Sequence, residues 1–169
     1  MLGPMRRDLR VQFIHGLESS PQGAKAQHLA RHFTALTPAM DTHDFAASVA
    51  VQTAMLREFD PHVLVGSSYG GAIAVDLLQR GLWRGPTLLL AQAALRRGQP
   101  AALPAGVTVW LVHGTRDAII DVEDSRVLAR SGSPDRVRLI EVDDVHALHT
   151  TVEDGRLVAW IAELAAMTS

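Results

Sequence analysis

Asp60-Pro61-His62-Val63-Leu64-Val65-Gly66-Ser67-Ser68-Tyr69-Gly70-Gly71 is the stretch that decides the fold. Val63 to Val65 is a short, β-branched apolar run, which predicts a buried strand. From Gly70 to Leu78 the chain carries Ala72, Ile73, Val75, Leu77 and Leu78, which predicts a buried helix. Between the two lies Gly66-x-Ser68-x-Gly70, with Ser68 at the corner. A strand that turns straight into a helix crowds the residues two positions either side of the turn. Glycines there relieve the crowding, so the pattern predicts a strained turn that presents the Ser68 hydroxyl at the end of a sheet. A plain Gly/Ser turn, or a phosphate-binding turn at a helix N-terminus, would use similar residues. The rest of the chain has to decide between them.

Upstream, Leu9 to Ile14 alternates as a strand and ends in His15-Gly16-Leu17-Glu18-Ser19-Ser20-Pro21. Ser20 and Pro21 make an N-cap and first-turn pair, predicting a helix to about Leu36 with Ala26, Leu29, Ala30 and Phe33 inward. A short edge strand is expected near Thr37 to Met40. Phe45 to Phe59 predicts a second helix, with Val49, Ala50, Met55, Leu56 and Phe59 inward. Downstream, Thr87 to Ala93 and Val107 to Val112 predict strands, with a turn-rich segment from Arg96 to Gly106 between them. Asp121 caps a helix reaching Arg130, Val137 to Val142 is the last strand, and Val152 to Met167 is the closing helix. Strands that alternate with helices on nearly continuous apolar runs predict a parallel sheet covered on both faces. Residues 1–8 are expected to be a flexible N-terminus and 9–169 one domain.

The chain ends of those strands carry the chemistry, because the active groups of an open parallel sheet sit at its carboxyl edge. They are His15-Gly16-Leu17, Ser68-Tyr69, His113-Gly114-Thr115-Arg116-Asp117 and Asp143-Asp144-Val145-His146-Ala147-Leu148. A serine hydroxyl needs a neighbouring base, and His146 is placed to be one. Asp117 would then hold the imidazole tautomer, and the backbone N–H groups of Leu17 and Tyr69 would receive the charge of a tetrahedral intermediate. Serine, aspartate, histidine is also the chain order expected with this fold. His149 competes with His146 for the base, and Asp121 and Asp144 compete with Asp117. His15 and His113, taken with Asp143, Asp144 and His149, could suggest a metal. Hydrogen bonding to loop backbone suits these strand-end histidines better, since no HExxH helix accompanies them. Arg96 and Arg97 read as a solvated loop pair, with an anionic substrate tail as the alternative.

Composition narrows the rest. The 169 residues are 47% hydrophobic, enough for one domain with a core but not for two. Net charge is −2 and dispersed, which argues against nucleic acid as a partner. There is no cysteine, hence no disulfide, thiolate nucleophile or cysteine-bound metal. Lys25 is the one lysine, which reads as a compositional habit favouring arginine. No run is long and apolar enough for a membrane span or signal sequence, so a cytoplasmic protein without membrane contact is expected. The residues leave the oligomeric state open.

Phe13-Ile14-His15-Gly16-Leu17-Glu18-Ser19-Ser20-Pro21 followed by Lys25-Ala26 resembles the opening signature of small bacterial α/β-hydrolases of the YqiA-like esterase type. Gly66 to Gly71, His113 to Asp117 and Asp144 to Leu148 resemble that family's later motifs, with Asp143-Asp144 standing where glycines are expected. The resemblance runs from Val11 to the closing helix. It implies a minimal α/β-hydrolase fold of five to six mostly parallel strands, with helices on both faces and no cap domain. It also implies a serine hydrolase of carboxylic esters or thioesters, with Ser68, Asp117 and His146 as triad. Neither metal nor organic cofactor is expected, since the candidate ligands lack a recognised spacing and there is no cysteine. Its partner would be a small-molecule ester or thioester. A non-catalytic interaction module on the same fold is the alternative from another class, and a complete triad speaks against it.

Overall fold

A computed structural model describes residues 5–167. Its six strands are β1 (Arg6–Ile14), β2 (Phe33–Leu36), β3 (Val63–Ser67), β4 (Thr87–Leu90), β5 (Val109–Gly114) and β6 (Val137–Val142). Its helices are α1 (Ala24–His32), α2 (Phe45–Phe59), α3 (Tyr69–Gln79), α4 (Val122–Ala129), α5 (His149–Glu153) and α6 (Arg156–Ala166). The strands form one sheet in the order β2-β1-β3-β4-β5-β6. Every neighbouring pair is parallel. The expected five to six mostly parallel strands are thus six among the described residues, all parallel, and no cap domain interrupts them there.

Side-chain alternation along the strands divides the core. Val11, Phe13, Val63, Val65, Leu88 and Leu90 face one way, where α1 and α6 cover them through Leu29, Leu157, Ile161 and Leu164. Ile14, Leu64, Leu89 and Leu111 face the other way, under α2, α3 and α4. Burying each such leucine or isoleucine side chain contributes roughly 2 kcal/mol. Gln12 breaks the pattern. It was read as the polar side of an alternating strand, yet it is fully buried and donates to Gln52 Oε1 of α2 at 2.8 Å. Ala50, expected inward on that helix, is exposed, while Ser48 and Gln52 are buried.

Because β2 is laid down on one side of β1 and β3 on the other, the sheet order reverses direction at the β1–β3 pair. In open parallel sheets ligands bind in the crevice at such a point, on the carboxyl edge. The register sets Ile14 beside Gly66, so the His15-Gly16-Leu17 loop leaves the sheet next to the β3 turn.

Several expected boundaries move. Strand β1 starts at Arg6, before the expected Leu9, so it takes in part of the segment expected to be a flexible terminus. The remainder of that expectation falls largely on residues 1–4, outside the described residues. Arg7 ties this extension down by donating to the Phe33 carbonyl at 2.7 Å. Ser20 caps a turn, accepting from Gln22 N–H at 3.1 Å, and α1 begins only after Gly23. The same helix stops at His32, because Phe33 turns to an extended conformation and buries its ring as the first residue of β2. The edge strand is therefore Phe33–Leu36 and not Thr37 to Met40. The closing helix is split in two at Asp154-Gly155, where Gly155 takes φ 84°. Helix α2 and strand β6 fall on their expected bounds. Among the described residues no helix is long and apolar enough to cross a membrane.

Gly70 is the tightest backbone contact of the β3–α3 corner, since a Cβ there would collide with the carbonyls of Ile14 and His15. Gly81, just past α3, has open space but φ 69°. Gly70→Ala should therefore destabilise by about 3 kcal/mol, as overpacking against fixed backbone does. Gly81→Ala should cost roughly 1 kcal/mol from its left-handed backbone alone. Urea unfolding of the two variants measures both, and equal losses would show that the corner has room to relax.

Candidate active site

Ser68 occupies the corner between β3 and α3 with φ 55° and ψ −114°, a conformation L-residues rarely adopt. Three hydrogen bonds hold it there. Its N–H donates to Leu90 O at 2.9 Å, and its carbonyl accepts from Ala72 N at 3.1 Å and Ala93 N at 3.0 Å. The expected reason for the flanking glycines holds at Gly66, where a Cβ would stand 2.5 Å from Gly70 O. A third glycine also matters, for a Cβ on Gly71 would lie 2.8 Å from Gln92 Cβ on the loop after β4.

His146 Nε2 lies 3.0 Å from Ser68 Oγ, and its Nδ1 lies 2.7 Å from Asp117 Oδ2. The ring thus connects hydroxyl to carboxylate, with Nδ1–H donating to Asp117 and Nε2 free to accept from Ser68. The imidazole keeps about a fifth of its surface exposed, whereas the Asp117 side chain is fully buried. His149 is exposed at the start of α5, so it is His146 that the fold brings to Ser68. Asp121 caps α4 by accepting from Glu123 N–H, and Asp144 serves elsewhere. Both rivals of Asp117 are therefore engaged.

Asp117 receives more than the histidine. Its Oδ1 accepts from the N–H groups of Ile119 and Ile120, each at 2.9 Å. Buried His113 places Nε2 2.9 Å from Ile120 O and 3.2 Å from Asp117 Oδ2. Its Nδ1 lies 2.7 Å from Ser125 Oγ, which accepts in turn from Gln92 Nε2 at 3.0 Å. One assignment satisfies every group. His113 carries its proton on Nε2, Ser125 donates to Nδ1, and Gln92 donates to Ser125. His15 likewise sets Nδ1 2.8 Å from Gly16 O, which matches the backbone role expected of the strand-end histidines. Among the described residues no cluster of three or more metal-ligating side chains exists.

The histidine loop is assembled by residues whose part was not legible in sequence. Asp144, where a glycine was expected, accepts from Val145 N at 2.8 Å and from Thr150 N at 2.9 Å and Oγ1 at 2.6 Å. It thereby closes the loop and caps α5. Leu148 completes the turn with φ 54°. Lys25 reaches across from α1 to donate to Ala147 O at 2.7 Å, and burial lowers its pKa against the opposing pull of Asp144. Gly114 lets the aspartate and histidine loops meet, since a Cβ there would strike the Asp144 carbonyl. In sequence Lys25 and Asp144 stood out only as parts of the family-like motifs, and Lys25 as the one lysine among arginines, without their contacts being readable.

Of the two expected oxyanion donors, Tyr69 N–H opens α3 beside Ser68 and Leu17 N–H lies on the neighbouring β1 loop. Neither has an acceptor among the described residues. Unmet donors suit a developing negative charge, the more so for Tyr69 at a helix N-terminus. Around this edge three apolar side chains stay in solvent: Leu17 at 54%, Ile119 at 59% and Val145 at 38%.

The model of a family described as "Uncharacterised protein family (UPF0227)" matches residues 10–95. No curated protein sequence matches the chain. Among solved structures, a Xanthomonas campestris protein of the alpha/beta superfamily is 24% identical, with a TM-score of 0.76 over 96% of this chain and 99% of its own. Mouse alpha/beta hydrolase domain-containing protein 10 shares 16% identity and a TM-score of 0.78, over 95% and 90% of the two chains. The monoacylglycerol lipase of Paleococcus ferrophilus shares 14% and 0.75, over 96% of each. At these identities the likeness establishes an α/β-hydrolase fold.

Burial opposes the charge on Asp117, but the amides of Ile120 and Ile119 and the His146 ring outweigh it. They hold the carboxyl below its ordinary value of 3.8. The folded state therefore binds its proton at lower pH than the unfolded chain does. The stabilisation is complete above the ordinary carboxylate range and disappears as pH falls through the lowered folded value. The stability advantage of the wild type over Asp117→Asn should accordingly be flat above about pH 5 and shrink as pH falls from there toward roughly pH 2, read by urea unfolding. A gap that stays constant across that range would contradict the compensation described.

Proposed function

The chain belongs to UPF0227, the YqiA-like family, and from that premise we propose that it is a serine hydrolase cleaving carboxylic esters through an acyl-serine intermediate. One observation carries the reading: the unbroken path from Ser68 Oγ to His146 Nε2 at 3.0 Å and from His146 Nδ1 to Asp117 Oδ2 at 2.7 Å. That this path starts at a residue held in a strained conformation strengthens it, since strain persists only where surroundings enforce it.

The chemistry follows from the atoms. Ser68 Oγ–H gives its proton to His146 Nε2 as the oxygen attacks the ester carbonyl carbon. The carbonyl oxygen takes up negative charge and is met by the N–H groups of Leu17 and Tyr69. His146, now an imidazolium whose Nδ1–H faces Asp117, returns the proton to the leaving alkoxide, and the alcohol departs. Water then repeats the sequence on the acyl-serine, releasing the acid and restoring Ser68. No metal or organic cofactor enters these steps. A thioester would react by the same route, with a thiol as leaving group.

The site is proposed to be open, with a small-molecule ester as partner. Where hydrolases of this fold can carry a lid, between β4 and β5, this chain has only a single helical turn at Leu95–Arg97. A long acyl chain needs a covered tunnel to gain about 0.8 kcal/mol for each buried CH₂. The exposed Leu17, Ile119 and Val145 supply a shallow apolar rim instead.

Ser68→Ala should abolish labelling by a fluorophosphonate probe while the circular dichroism spectrum stays native; full labelling of that variant would falsify the nucleophile assignment. His146→Ala and Asp117→Asn should each lower kcat on the order of 10⁴-fold, with His149→Ala nearly unaffected. A dead His149 variant beside an active His146→Ala would reverse the choice of base. Across p-nitrophenyl esters from acetate to palmitate, kcat/KM should peak at short or medium chains without interfacial activation. A steady rise to palmitate would reveal a tunnel.

A further inference from the structure

Arg97 is exposed, as expected of a loop arginine, but its guanidinium rests on two aromatic rings. Its guanidinium carbon sits 4.7 Å from the centroid of the Phe45 ring and 4.9 Å from that of Tyr69. The two rings meet edge to face at 5.8 Å, so they form a fixed aromatic corner under the cation. Tyr69 is the residue directly after Ser68, and its amide is one of the two proposed oxyanion donors. The backbone that delivers Arg97 is tied to the same place. Arg97 N–H donates to Ala93 O and Ala94 O, both at 3.1 Å, and Ala93 N–H donates to the Ser68 carbonyl. The Arg97 backbone is thus tied to Ser68 through two hydrogen bonds, and its side chain rests on the Phe45 and Tyr69 rings.

What this cation lacks is an anion. Among the described residues no carboxylate lies within ion-pair distance of Arg97, and no acceptor takes a hydrogen bond from its side chain. Its neighbour differs, because Arg96 Nη1 donates to Ile119 O at 3.0 Å. Contacts with ring faces use the charge of a guanidinium but none of its five N–H donors, which suit a carboxylate's two oxygens. The aromatic corner also limits the freedom lost when such a partner binds.

Resting on the ester-hydrolase reading, we propose that Arg97 with Phe45 and Tyr69 forms a carboxylate-binding subsite beside Ser68, and that the preferred substrate is an ester bearing a carboxylate. The anion could belong to the acyl group or to the leaving alcohol, and both place a negative charge near the reacting carbonyl.

The test compares four substrates on the intact protein. A p-nitrophenyl hemiglutarate carries the charge on the acyl side and a 4-carboxyphenyl butyrate on the leaving side; p-nitrophenyl butyrate and phenyl butyrate are the neutral partners. In the wild type, kcat/KM of at least one charged ester should exceed expectation from its neutral partner. In Arg97→Gln that charged-to-neutral ratio should fall roughly tenfold or more, the loss expected for a charge-assisted pair. Arg97→Lys should keep part of the ratio, and Arg97→Glu should invert it. The arm that responds identifies which side carries the charge. Ratios unchanged in both arms for Arg97→Gln and Arg97→Glu would overturn the subsite while leaving the hydrolase intact. A wild type that turns over no ester and takes no probe at Ser68 would remove the hydrolase reading, and the subsite with it.

Discussion

The closest approach in the active-site region is between backbones, not side chains. Gly70, at the start of α3, lies so near the carbonyls of Ile14 and His15 that no side chain fits between them. This contact sets how near the end of β1 can come to the turn after β3. On it depends whether Leu17 and Tyr69 can offer their N–H groups to one oxygen. It also explains why Ser68 is strained. The chain must leave a buried strand and enter a buried helix within one residue, and φ 55° is the result. The carbonyl of that residue accepts from both Ala72 and Ala93, so the strain is shared with the helix and with the loop after β4.

A second constraint is the charge buried at Asp117. A carboxylate removed from water costs several kcal/mol unless donors surround it. Here two amides and two histidine rings do so, and they come from its own loop, from β5 and from the histidine loop. His113 carries this further inward through Ser125 and Gln92 to the amide of Ala94. Gln92 is also the residue against which Gly71 packs. The aspartate and the serine therefore rest on one connected polar network that runs beneath the loop holding Arg97. Changes in that network act on both ends of the triad geometry at once.

The sequence revealed the parts that local physics determines. Gly66, Ser68 and Gly70 with their flanking strand and helix pointed to the corner, and the chain order of Ser68, Asp117 and His146 followed from the topology. Boundaries set by tertiary contacts were less legible. Ser20-Pro21 has the chemistry of a helix start but closes a turn, and Phe33 leaves its helix because its ring is needed in the core. Asp154-Gly155 sits inside an apolar periodicity strong enough to hide the break at φ 84°. The contacts of Lys25 with Ala147 and of Asp144 with Thr150 join residues too dispersed, or too ordinary in type, for spacing to expose them.

The roles of the two aspartates 144 and 117 show why a minimal sheet can hold such a site without a cap. Each carboxylate accepts hydrogen bonds from backbone N–H groups of the loop that follows it, and each leaves the loop in one shape. Asp117 thereby positions itself for His146, and Asp144 positions His146 for Asp117. Lys25 ties the second loop to α1, and Arg116 N–H ties the first loop to the Asp144 carbonyl. Order that a larger hydrolase could draw from an overlying domain is drawn here from charged groups within the loops themselves. The consequence is an edge whose loops are held in shape by their own carboxylates. On the proposed open site, selection falls to the exposed apolar Leu17, Ile119 and Val145 and, on the proposed subsite, to the cation of Arg97 on its aromatic corner.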